Sequence, residues 1–171
     1  MGVALKDLVE WKEVSIDELK NQVLVIDAYN NLYQYLSSIR QRDGALLVDS
    51  KGNVTSHLLG LFSRTTTLMK RGLKLAFVFD GEAPELKKEE RARRKNIKIE
   101  AEKKYKEAKR KKDKVEMNKY ASRTARLTPK MVEEAKKLVG VLGLPVIDAP
   151  SEGEAQAAYI VNKGDAFAMV S

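Results

Sequence analysis

The chain has 171 residues, 43% of them hydrophobic and 33% charged, which suits one domain with a real core and argues against a membrane protein or full disorder. It has no cysteine and a single histidine, His57, so disulfides, thiolate zinc sites, a cysteine nucleophile and a histidine metal cluster are excluded. Any bound metal must then be a hard ion held by oxygen, magnesium or manganese before zinc.

The net charge of +8 is unevenly spread. Residues 87–126 hold 18 Lys+Arg against 7 Asp+Glu, a net +11, which leaves −3 for the rest. Such asymmetry favours a polyanion partner reached through one element. No apolar run approaches the ~20 residues that span a bilayer, so no membrane partner is expected. The start, Met1 to Lys6, lacks the basic and apolar regions of a secretory signal, and Lys6 stands where a myristoylation motif wants Ser or Thr. A Lys/Glu-rich, cysteine-free composition also suits a thermophile.

In chain order, Gln22–Ala28 reads as a buried strand, apolar on both faces and ending in acid at Asp27. Leu32, Tyr33, Leu36 and Ile39 then recur at helical spacing. Turn signals at Asp43-Gly44 and Lys51-Gly52-Asn53 bracket Ala45–Val48, a candidate small strand or hairpin arm. A helix is predicted over Val54–Arg71, with Leu58, Leu61, Phe62, Thr65, Leu68 and Met69 on one side and Gly72 as its stop. Leu73–Phe79 is a second buried strand, closed by Asp80. Thr128-Pro129 starts a helix, as an N-cap with proline at the first helical position. Leu144–Ile147, Ser151–Asn162 and Asp165–Val170 follow as strand, helix and strand. The alternation predicts an α/β fold, a mainly parallel sheet flanked by helices. The stretch 85–122 is helical by propensity, but its apolar residues are too few for a packed face, so it should be solvated almost all round.

Ligands of parallel sheets bind outside the carboxyl ends of the strands, where Asp27, Asp80 and the pair Glu152/Glu154 fall. An aspartate there is also a common turn former or helix cap. Ser151-Glu152-Gly153-Glu154 reads by local rules as a capping box, with Ser151 as N-cap and Glu154 at the third helical position. That explains Glu154 but not Glu152. Pairs such as Glu102/Lys106 and Glu116/Lys119 neutralise little of the basic segment. His57 reads as an ordinary helix residue, and no P-loop or Ser/His/Asp set is present.

Several blocks carry a resemblance: Val25-Ile-Asp27-Ala, Tyr33-Gln-Tyr-Leu, Arg40-Gln, Thr55-Ser-His-Leu-Leu-Gly-Leu-Phe-Ser-Arg-Thr65, Phe77-Val-Phe-Asp80-Gly-Glu-Ala-Pro-Glu-Leu-Lys87 and Ile147-Asp-Ala-Pro-Ser-Glu152-Gly-Glu154-Ala. In this order they resemble the N-terminal region of the flap endonucleases, structure-specific 5′ nucleases of the XPG type, with the archaeal branch nearest. The resemblance implies a PIN-like fold and cleavage of branched DNA in replication and repair. It implies two magnesium ions, replaceable by manganese, with Asp27, Asp80, Glu152 and Glu154 as metal ligands. Lys87 and Arg94 match a catalytic basic pair at the scissile phosphate. Tyr33 matches an aromatic that stacks on a base, and Arg40 and Arg64 match DNA contacts. Residues 85–126 correspond to a helical arch, in which Lys103, Lys104, Lys109 and Arg110 would meet the strand.

Glu82-Ala83 stand where Lys-Pro is usual, Ser63 where tyrosine is common and Ala4 where aspartate is; none touches an implied ligand. Family members continue past the point matching Ser171 with further aspartates, a helical DNA-binding motif around a potassium ion and a peptide that docks on the sliding clamp (PCNA). The expectation is that these 171 residues are the N-terminal portion of a nuclease domain, with little activity alone. The alternative is a non-catalytic fragment that binds DNA or protein through the arch. The expected location is the cytoplasm of an archaeal cell, with the nucleoid, or the nucleus in a eukaryote.

Overall fold

The computed structural model describes residues 10–82, 84–85 and 88–170. Its four strands, β1 (Val23–Asp27), β2 (Lys74–Phe79), β3 (Val146–Asp148) and β4 (Ala168–Val170), form one parallel sheet in the order β3-β2-β1-β4. β3 begins two residues later than the apolar run, and Pro145 contributes only its carbonyl, to Phe77 N–H at 2.9 Å. β4 also begins later than expected. Asp165 instead closes the preceding helix by donating its N–H to Ile160 O, after Gly164 at φ 87°.

Side chains alternate across the strands, and the alternation sorts the core into two layers. On one face Leu24, Ile26, Leu75, Phe77 and Phe79 pack against Leu32 and Tyr35 of α1 (Ala28–Ser38), Leu61 of α2 (Ser56–Lys70) and Val132, Ala135 and Val139 of α5 (Pro129–Val141). On the other, Val25 and Val78 meet Ala157 of α6 (Gly153–Asn162), with Ala149 and Ala166. Helices therefore cover both faces, as a parallel sheet requires.

Between α1 and α2 the chain makes only two single-residue antiparallel bridges, Arg40↔Leu46 and Val48↔Val54. Ala45–Val48 is thus an irregular hairpin arm. Asp49 organises its tip by accepting the Lys51 and Asn53 N–H groups at 2.8 Å each, around Gly52 at φ 81°. In α2 the core face is His57, Gly60, Leu61 and Thr65, whereas Phe62 is 49% exposed and Met69 also faces solvent. The expected apolar side is rotated, because Phe62 lies one residue, about 100°, round from Leu61. His57 is fully buried, 3.3 Å from Glu134 of α5, and burial pushes its pKa down. Ser15 caps a short 3-10 helix at Ile16–Leu19 through a capping box with Glu18, an element the sequence reading passed over.

The basic stretch is helical: α3 (Lys88–Lys111) and α4 (Lys114–Ala121), with a reversal at Lys112 (φ 55°) and Asp113 accepting the Val115 and Glu116 N–H groups at 3.0 Å. It is not solvated all round. Ala101, Ala108, Met117, Ala121 and Ala125 are buried, so small side chains form a narrow seam that a search for bulky apolar residues misses. Glu102 pairs with Arg126 at 2.6 Å and Lys106 at 3.6 Å.

The close approach of α1 and α2 needs glycine at position 60. A Cβ there would run into the Tyr35 ring and lie 2.7 Å from Ile39 Cδ1. Gly60→Ala is expected to destabilise the fold by about 1–3 kcal/mol through overpacking, measurable by urea unfolding. A midpoint equal to wild type would mean that the helices part freely.

Candidate metal centre and nucleic-acid interface

Asp27 ends β1, Asp80 follows β2, and strand register sets them near each other: Asp27 sits beside Val78. Parity sets their direction. Asp27 is two residues beyond Val25 and Asp80 two beyond Val78, so both point to the sheet face that α6 covers. Ala157 packs α6 on that face, which brings the helix N-terminus to the same edge. Acids belong there, because the unpaired N–H groups of a first turn carry partial positive charge.

The acids meet through this turn. Asp80 Oδ1 accepts the Gly153 N–H at 2.7 Å, so Asp80 caps α6 from another strand. The helix N-cap is Glu152, without a side-chain cap hydrogen bond, and Glu154 lies in the first turn. The capping box centred on Ser151 does not form: Ser151 Oγ donates instead to Glu82 O at 3.1 Å. Two more bonds lace this loop to β2 and its extension, Ala149 N–H to Phe79 O at 2.9 Å and Gly81 N–H to Ser151 O at 2.7 Å. Gly81 must be glycine, since a Cβ would strike the Ala149 carbonyl.

Asp27 is buried, at 6% exposure, and accepts the Asn30 N–H at 3.1 Å as N-cap of α1. Burial raises its pKa; the Asn30 hydrogen bond opposes this, and the negative charge of Glu154 adds to the rise. A buried carboxylate pressed by a second one is the donor set a hard divalent cation relieves, so the residues fit such an ion. The edge is open rather than a closed cage: among the described residues no group of three or more acids or histidines is drawn close enough to hold a metal. Asp148, the third strand-end acid, has opposite parity and turns to the α5 face, where Lys136 Nζ donates to it at 2.8 Å.

Tyr33 of α1 is 36% exposed, and Lys98 Nζ of α3 lies 4.5 Å from its ring centroid. That contact rests the basic helix on α1. Arg40 donates Nη1–H to Gly44 O at 2.9 Å, while its buried Nε and Nη2 have no hydrogen-bond partner among the described residues; burial lowers its pKa. Arg64 is exposed on α2. Arg94, Lys103, Lys104, Lys109 and Arg110 are exposed on α3, with Lys104 Nζ 5.6 Å from the Tyr120 ring. Lys87 lies outside the described residues, as do Ala83 and residues 1–9. Sequence reasoning missed Asp80's capping role and the Lys136–Asp148 pair, neither of which leaves a local signal.

Fold and site together define a PIN-like α/β domain with an acidic strand edge. The XPG N-terminal domain matches residues 1–101 and the XPG I-region residues 143–171, and the chain belongs to this family. It is 55% identical over 170 residues to flap endonuclease 1 of Thermofilum pendens, covering 98% of this chain and 49% of the relative. Flap endonuclease 1 of Pyrococcus horikoshii is 52% identical over 171 residues, with 100% and 50% covered. The solved flap endonuclease-1 from Methanococcus jannaschii superposes with TM-score 0.71 at 46% identity, over 99% of this chain and 54% of that one. The catalytic core of Rad2 in complex with DNA substrate gives TM-score 0.60 at 25% identity, over 94% and 40%. The chain spans about half the length of the curated relatives it matches.

Two stability measurements check the edge. Asp80→Ala, which removes the cap of α6, should cost about 1 kcal/mol more than Asp80→Asn, which keeps an acceptor. Asp27 has a raised folded pKa, so in metal-free buffer its charge opposes folding: stability should fall as pH rises from the unfolded value, 3.8, through the raised folded one. Asp27→Asn should therefore be more heat-stable than wild type at neutral pH, with the difference vanishing below the ordinary carboxylate range. A less stable Asp27→Asn protein would contradict the crowding.

Proposed function

We propose that the chain is the metal-binding half of a structure-specific 5′ flap endonuclease and 5′–3′ exonuclease that hydrolyses phosphodiester bonds of branched DNA. The observation that carries this reading is that Asp27 and Asp80 close neighbouring strands at the edge where the α6 N-terminus carries Glu152 and Glu154, with the Glu154 charge reaching Asp27. The family match and the names of the relatives support it. Those four acids would hold two magnesium ions, or manganese in their place. When bound, such ions supply Lewis acidity and lower the pKa of a water nucleophile.

The chain's own groups do the rest. Asp80 holds α6 in place, and with it Glu152 and Glu154, through the Gly153 N–H. Arg94 and Lys87 offset charge on the scissile phosphate. Tyr33 offers a face for a base once Lys98 moves aside. Arg40 brings two buried guanidinium nitrogens, without a hydrogen-bond partner among the described residues, that suit a phosphate oxygen. Lys103, Lys104, Lys109 and Arg110 track the strand along α3, as part of an arch over residues 85–126. Contact with a sliding clamp (PCNA), and residence in the archaeal cytoplasm with the nucleoid or in a eukaryotic nucleus, belong to the same reading of the full-length protein.

A second reading, a fragment that binds DNA or protein without cutting, draws on the basic helices α3 and α4 alone. The two part on metal. Under the first, Mn2+ titrated into the chain binds, and Asp27→Asn and Asp80→Asn each weaken it at least tenfold while flap-DNA affinity stays within about twofold, since acids are not phosphate contacts. Reversing Lys103, Lys104, Lys109 and Arg110 to glutamate does the opposite, and flattens the salt dependence of DNA binding. Tight DNA binding with no divalent-ion binding at the acids would install the second reading.

A further inference from the structure

The acidic edge leaves one strand-end acid unused. Asp148 closes β3, a three-residue edge strand that pairs with β2 alone. A ladder this short holds a strand end weakly, yet the four residues after it deliver Glu152. On the α6 side the loop is fixed by Asp80 and the backbone bonds to Phe79, Gly81 and Glu82. On the opposite side the contact is Lys136 of α5, whose Nζ donates to Asp148 Oδ1 at 2.8 Å and lies 5.5 Å from the Phe79 ring centroid. Phe79 is fully buried, precedes Asp80, and takes the Tyr29 ring edge-on at 6.5 Å, two residues past Asp27. Lys136 thus touches the ends of β3 and β2, and Phe79 carries the contact on to Tyr29 just past β1.

We propose that Lys136 and Asp148 are positioning residues for the metal-binding carboxylates: their ion pair is a strut from α5 that fixes the end of β3, and so the loop placing Glu152 and Glu154 against Asp27 and Asp80. The competing acid on α5, Glu133, is farther from Lys136 Nζ, at 3.7 Å. The hydrogen bond to Asp148 raises the Lys136 pKa, so Lys136 stays charged at neutral pH. Asp148 is 69% exposed, so the pair adds little to global stability, and its effect is geometric. The inference rests on the metal-site reading above.

The test is Mn2+ affinity of the DNA-free protein, followed by electron paramagnetic resonance, for wild type, Lys136→Met, Asp148→Asn, the double variant and Lys136→Arg. Charge alone predicts opposite signs: losing a lysine tightens cation binding and losing an aspartate weakens it. A strut predicts that Lys136→Met and Asp148→Asn both weaken Mn2+ by about tenfold. The double variant should be no weaker than either single one, Lys136→Arg should recover most of the affinity, and thermal midpoints should move little. Tighter or unchanged binding by Lys136→Met would overturn the strut. If wild type binds no Mn2+, the metal reading fails, and amide exchange decides the strut separately. Exchange over residues 149–154 should be faster in Lys136→Met, and an unchanged rate would refute it.

Discussion

Negative charge crowded at one end of a parallel sheet is the constraint around which this chain is built. All four strands run the same way, so every strand ends at the same edge. Side-chain parity then divides that edge: Asp27 and Asp80 fall on the α6 side, Asp148 on the α5 side. On the α6 side the crowding is resisted by the helix terminus, whose first turn offers N–H groups to Asp80, and by the Asn30 N–H on Asp27. It is not abolished, because burial, with the Glu154 charge adding to it, still pushes the Asp27 carboxyl toward its neutral form. On the metal-site reading proposed above, a divalent cation would relieve this conflict, and with no thiols and a buried lone histidine the donors would be oxygen.

The basic excursion answers the same field from outside. Within this surplus of eleven positive charges, the buried side chains of α3 and α4 among the described residues are alanines and Met117, while Lys104 of α3 lies over the Tyr120 ring of α4. Lys98 reaches back to Tyr33, and Tyr105 donates its hydroxyl to Asp43 O at 3.3 Å, so the helix rests on α1 and the hairpin. On the proposed reading, a phosphate backbone would compete with these contacts for the basic side chains.

Much of this was legible in the sequence wherever a feature is local. Apolar runs closed by acid give the strands and their ends, and Thr128-Pro129 marks the start of α5, with Thr128 Oγ accepting the Met131 N–H at 3.3 Å. Features made by tertiary approach were not legible. Asp80 reaches a helix 73 residues away and displaces a capping box that looks sound in isolation. His57 looks like any helix residue until α5 covers it with Glu134. Phe62 looks like core, yet Gly60 and Leu61 take that face because α1 comes too close for a larger side chain. The alanine seam of α3 and α4 is invisible to any search for large apolar residues, because its fit depends on small ones.

If acids from three separated segments form one cation pocket, as proposed above, a crystal soaked in Mn2+ should show anomalous scattering peaks between Asp27, Asp80, Glu152 and Glu154, lost in Asp80→Asn. Manganese bound elsewhere, with those four carboxylates bare, would rule the pocket out.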